Sequence, residues 1–174
     1  MEITAVNFLV CFIIFNLLLK VVYPVSGFLH EAGHAIFGLF LAKGSRISIR
    51  FGNCGNKPLL KLGNIDLFIG PTASFWGYCE FESNGLSTSR LIAIALGGPL
   101  VTLTLTAANL WFLFALGQPM EAQFLAAVFF YANCRILIVS MTPRNFRVPA
   151  SSMVEGESDG LKIIQLLKGD KAKS

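Results

Sequence analysis

Histidine is nearly missing from this chain of 174 residues: there are two, His30 and His34, and they stand four positions apart. Charge is scarce as well. Asp, Glu, Lys and Arg make up 14% of the residues, against about a quarter in soluble domains, which argues against a surface bathed in water on all sides. The four cysteines (Cys11, Cys54, Cys79, Cys134) show no C-x-x-C spacing. They read as free thiols, with a Cys54–Cys79 bridge as the weaker alternative. No N-x-[ST] sequon occurs. The first 23 residues lack a basic leader and an A-x-A cleavage site, so they do not read as a removed signal peptide.

What the chain has in abundance is apolar surface. Apolar residues reach 54%, sixteen are Phe, and the mean hydropathy is +0.64. The length suggests one domain, 1–174, and the composition suggests an α-helical integral membrane protein. The net charge of +4 is no nucleic-acid signature, because the cations are distributed as in a membrane protein. Six lie in 43–90 and six in 143–174, and only Lys20 and Arg135 fall elsewhere. The positive-inside rule then places loop 43–90 and the C-terminus in the cytoplasm, with a multi-pass protein of the bacterial cell membrane as the expected setting.

Taken in order, residues 1–42 are almost continuously apolar, interrupted by Lys20 and by Pro24 with Gly27. One straight helix of that length would be about 60 Å, twice the hydrocarbon thickness. A long first span broken near Pro24 is expected, with two short crossings, hence four spans, as the alternative. Residues 43–90 are β-rich: strands are expected at 46–51, 59–62 and 65–69, with a break at Gly70-Pro71 and an aromatic segment at 75–81. They suggest a small sheet on the bilayer surface, one edge of which, 46–51 or 75–81, accepts an extended substrate. Residues 91–116 and 120–142 form the second and third spans. Thr102, Thr106 and Asn109 make a polar stripe on the second. Arg135 in the third needs a partner or must snorkel, and the sequence names no partner. Residues 143–174 hold a polar segment, Asp159-Gly160, and a short amphipathic helix, 161–168, before a tail expected to fray.

The chemistry gathers at His30-Glu31-Ala32-Gly33-His34. On a helix the two imidazoles fall on one face and can share a metal ion. Glu31 then lies beside it, placed to take a proton from water. From Pro24 to Ala42 the run otherwise carries no charge, and Ser26 is its only further polar side chain. Ionisable groups in so apolar a segment mark a functional site facing a bundle interior. A third ligand must come from an acid able to reach the motif. Asp159, Glu155, Glu157 and Asp66 are the candidates.

His30-Glu31-x-x-His34 in an apolar helix, then a β-rich loop, Gly98-Pro99 in a second helix and Asp159-Gly160 after a third: this ordered set resembles the site-2 protease family. These are intramembrane zinc metalloproteases. The resemblance covers roughly residues 20–168. It implies His30, His34 and Asp159 as ligands of one zinc ion, Glu31 as catalytic base, and a membrane-embedded peptide or protein as substrate. Substrate contacts would fall at Gly98, Pro99, Thr102 and Ser140. The chain departs from the family where Thr102 and Ser140 replace asparagines. It departs again in the sixteen residues that separate Asp159 from Pro143, where the family spacing is short. These departures motivate an alternative expectation, a non-proteolytic zinc-containing membrane protein that sequesters a partner transmembrane segment.

Overall fold

The computed structural model describes residues 5–52, 54–55, 57–70, 77–82, 85–115, 117–147 and 155–169. Pro71, Phe75 and Trp76, most of the polar segment at 148–154 and the tail 170–174 lie outside them. Three helices are long and apolar enough to cross a membrane: α1 (Ala5–Leu41), α2 (Thr88–Phe114) and α3 (Met120–Met141). A four-stranded sheet joins α1 to α2: β1 (Ile47–Phe51), β2 (Leu60–Leu62), β3 (Ile65–Ile69) and β4 (Gly77–Phe81). After α3 come two short strands, β5 (Asn145–Arg147) and β6 (Glu155–Glu157), and a last helix, α4 (Asp159–Leu167).

The expected break at Pro24 is absent. α1 runs for 37 residues, about 55 Å, as one helix with Pro24 inside it, so the two-crossing alternative falls away. Pro24 removes one hydrogen bond, to the Lys20 carbonyl. Packing carries the helix across that gap, because Leu19, Val22 and Tyr23 are buried against Val128 and Ala132 of α3. Near its start α1 has no such support, and Val6 to Ile14 are all exposed. α2 begins at Thr88, three residues before the expected boundary, and takes in Arg90.

The sheet order is β2-β3-β1-β4, with β1 parallel to β3 and antiparallel to β4. This corrects one expectation: 46–51 is no edge. β2 and β3 form a hairpin through a tight turn at Gly63, whose φ of 58° suits glycine, and that hairpin lays β3 along β1. The free edges belong to β2 and β4. Alternation on β1 turns Ile47, Ile49 and Phe51 inward, where they bury with Ala35 and pack against Phe28 of α1. The outer face is polar. Arg46 pairs with Asp66 (Nε to Oδ2, 2.6 Å), and Arg50 pairs with Glu80 at 3.2 Å while covering the Phe68 ring.

α1 is therefore shared between two neighbours. Gly27, Phe28, Ala35 and Gly38 face the sheet, at helical spacing. His30, Gly33, His34 and Phe37 lie about a quarter-turn round and face α2. Glu31 belongs to the sheet-facing stripe.

Candidate metal centre

His30 and His34 sit one turn apart on α1, both buried. They can be there because α2 has almost no side chains opposite them. The backbones of α1 and α2 meet at Gly33 and Gly97: a Cβ on either glycine would lie 2.5 or 2.6 Å from the carbonyl oxygen of the other. Next along, Gly98 leaves the space that the imidazoles occupy. A Cβ there would collide with Nε2 of His34 and sit 2.7 Å from Nε2 of His30. Pro99, also buried, has no N–H and so frees the Ala95 carbonyl from the helix ladder.

Hydrogen bonds to α2 fix how each ring is turned. Nδ1 of His34 lies 2.8 Å from the Ile94 carbonyl oxygen, which can only accept. The Gly98 amide also points at Nδ1, at 3.3 Å, but the shorter contact to a carbonyl puts the proton of the neutral ring on Nδ1 and leaves a lone pair on Nε2. On the other ring, Nδ1 of His30 lies 2.8 Å from the Thr102 hydroxyl, which itself donates to the Gly98 carbonyl at 3.1 Å. That hydroxyl accepts from His30, so Nε2 of His30 also presents a lone pair. Such outer partners orient metal-binding histidines and set their tautomer.

The third group arrives by a route that spacing along the chain conceals. The long linker after Pro143 closes into a two-stranded ladder in which Asn145 stands opposite Glu157 and Arg147 opposite Glu155. Ser158 locks its base. The Ser158 hydroxyl donates to the Thr142 carbonyl at 2.8 Å, accepts from the Arg144 amide, and caps α4 by accepting from the Leu161 amide. Gly160 then rests directly on the Met141 carbonyl, where no side chain would fit. These contacts deliver Asp159, at the first position of α4, to the end of α3 and up against the two imidazoles. Its Oδ2 lies 3.0 Å from Nε2 of His30 and its Oδ1 3.4 Å from Nε2 of His34. Burial by itself would push the Asp159 carboxyl up. Charge and hydrogen bonding from the His34 and His30 imidazoles, when these carry the proton that faces it, outweigh burial and hold the group below the usual carboxylate range.

The two Nε2 atoms and the Asp159 carboxylate thus converge, and a shared proton or a metal ion must lie between them. The two Nε2 atoms are 3.3 Å apart, the edge expected in a tetrahedron with bonds near 2.0–2.1 Å, and each has an Asp159 oxygen within 3.4 Å. His30, His34 and Asp159 form a buried group able to hold a metal ion, the one such group of His, Cys, Asp and Glu among the described residues.

Of the other candidates, the Glu155 side chain lies outside the described ones, and the rest are placed elsewhere. Asp66 is engaged by Arg46 on the sheet, and Glu157 accepts from Gln165. Thr102, expected at the substrate, is buried behind His30. Ser140 donates to Leu137 of its own helix and stands outside the group. Glu31 extends toward β4, where a Cβ on Gly77 would come within 3.0 Å of its Cγ. Its side chain therefore packs at the start of β4, next in sequence to His30. Cys79, two residues on, is pushed up by burial and then by the charge of Glu31, and its thiol stays protonated. Residue chemistry and spacing pointed to His30, His34 and Glu31. The close approach at Gly97 is expected from its small size, whereas the parts played by Ile94, Gly33 and Ser158 have no counterpart in that reading. The small residues at 97 and 98 inside an apolar span were the only signal.

No protein-family model, curated protein or solved structure matches the chain.

Proposed function

We propose that the protein is an intramembrane zinc metalloprotease of the site-2 type, which hydrolyses peptide bonds of membrane-embedded substrates. The observation that carries this reading is the convergence of three potential ligand groups, Nε2 of His30, Nε2 of His34 and the Asp159 carboxylate, beside a glutamate that is not itself a ligand. A structural site needs no base, and Glu31 is the group such a site would not require. When bound, zinc supplies Lewis acidity, acidifying water to a pKa of about 7 and polarising a peptide carbonyl. The Glu31 carboxylate takes the proton of the attacking water and returns it to the leaving amine. Thr102 and the Ile94 carbonyl hold the imidazoles while this happens.

On this reading α1, α2 and α3 cross the bilayer, with loop 43–90 and the C-terminus cytoplasmic. The substrate is an unwound segment lying along β4, whose outer edge is unpaired among the described residues and whose first residue touches Glu31. The test uses the full chain and a fluorescence-quenched transmembrane peptide. Glu31→Gln is expected to keep its zinc and lose cleavage, whereas Asp159→Ala loses zinc. Equal cleavage by wild type and Glu31→Gln, or full zinc retention by Asp159→Ala, overturns the proposal.

A further inference from the structure

Two cations stand apart from the basic clusters, and the structure brings them to one place. Arg135 on α3 is exposed, donates to the Tyr23 hydroxyl of α1 at 3.3 Å, and lies 5.5 Å from the centre of that ring. Lys20, also exposed, is one turn before Tyr23 on α1. Phe15 meets Phe124 and Tyr131 while Tyr23 meets Arg135, so α1 and α3 run in the same direction and the two cations flank Tyr23. Around them the surface is apolar, with Leu17, Val21 and Ile138 exposed.

Neither cation has a counter-charge. None of the ion pairs among the described residues includes Lys20 or Arg135. The three long helices contain only two acids, Glu31 at the metal group and Glu121 in the first turn of α3, about 21 Å along the helix from Arg135. Position sharpens the point. Arg135 lies six residues, about 9 Å, before the end of α3, and Lys20 lies a further turn from that end, both within apolar helices. Charges so placed pair with one another or with a partner.

We infer that the α1/α3 face at Lys20, Tyr23 and Arg135 docks a partner protein through a carboxylate in that partner's transmembrane helix. Charge complementarity selects the occupant. A second copy of this chain offers on its long helices only Glu31, at the metal group, and Glu121, at the far end of α3, and lipid phosphate is the rival that the test separates. The inference rests on the membrane reading above and is independent of proteolysis.

The probe is a leucine-rich transmembrane peptide with one central Glu, compared with its Gln counterpart. Its association with the labelled full-length protein is measured by energy transfer in phosphatidylcholine vesicles. The wild type should bind the Glu peptide about tenfold more tightly. Lys20→Ala/Arg135→Ala should erase the preference while keeping its metal content. Lys20→Glu/Arg135→Glu should transfer the preference to a peptide with a central Lys, which guards against a variant that merely folds poorly. No Glu preference in the wild type, or an undiminished one in the double alanine variant, overturns the inference. So does a preference abolished by adding phosphatidylglycerol, which would assign the cations to lipid phosphate. Failure of the protein to float with the vesicles overturns the membrane reading itself; flotation without a Glu preference overturns only the docking surface.

Discussion

α1 is packed by two different methods along its length. Toward its C-terminal half it meets α2 through Gly33 and Gly97, backbone to backbone, with His30, His34 and Thr102 filling the polar remainder. Further back it meets α3 through Leu19, Val22 and Tyr23 against Val128 and Ala132, with Phe15, Phe124, Phe129 and Ile136 around them. The first seam has no spare volume and is held by hydrogen bonds. The second is an interleaving of large side chains. On the membrane reading proposed above these differ in kind. Hydrocarbon tails can replace the contacts of a leucine, but they cannot replace the Ile94 carbonyl or the Thr102 hydroxyl. Atoms whose positions must be fixed are therefore found at the seam that lipid cannot imitate.

The sharpest break in that comparison is Gly98→Ala. One added methyl at the first seam would occupy the space of both imidazole Nε2 atoms, and the neighbouring Gly33–Gly97 contact prevents α2 from backing away. We expect loss of the bound metal with little loss of helix content, read by metal analysis alongside circular dichroism. Retention of stoichiometric metal would mean that the seam is looser than its glycines imply. A smaller effect at the same seam comes from Thr102→Val, which keeps the shape and removes the hydroxyl. His30 then lacks the partner that sets its tautomer, and metal affinity should fall about 10- to 100-fold, measured by competition with a chelator. Thr102→Ser, which restores the hydroxyl, should recover most of it.

The same contrast explains what could be read in advance. Spacing alone puts His30 and His34 on one face, since four residues make about one helical turn. Alternation marks Ile65–Ile69 as a strand to the residue. Alternation is silent on who pairs with whom, however, and the central position of β1 follows from the β2–β3 hairpin, a matter of turn geometry. The three-residue strands β5 and β6 are too short to show any period, so the closure of the linker before Asp159 could not be seen. Thr102 looked like a missing asparagine because its place in a motif is visible and its hydrogen bond to His30 is not. Pro24 looked like a break because the packing of Tyr23 and Val22 that carries the helix past it comes from α3, more than a hundred residues away.

Val128→Ala probes the second seam and should have the smallest effect. Val128 is fully buried between α1 and α3, and truncation deletes two methyl groups from that contact. In a water-soluble core the cost would combine lost transfer free energy with a cavity term. On the membrane reading the transfer term nearly vanishes, because lipid is as apolar as the valine, and only packing remains. We expect destabilisation of about 1 kcal/mol by unfolding in mixed micelles, and unchanged metal affinity, since the metal group is built about two turns further along α1. A metal affinity that falls together with stability would show that the two seams act as one, and that α1 transmits packing from α3 to the imidazoles.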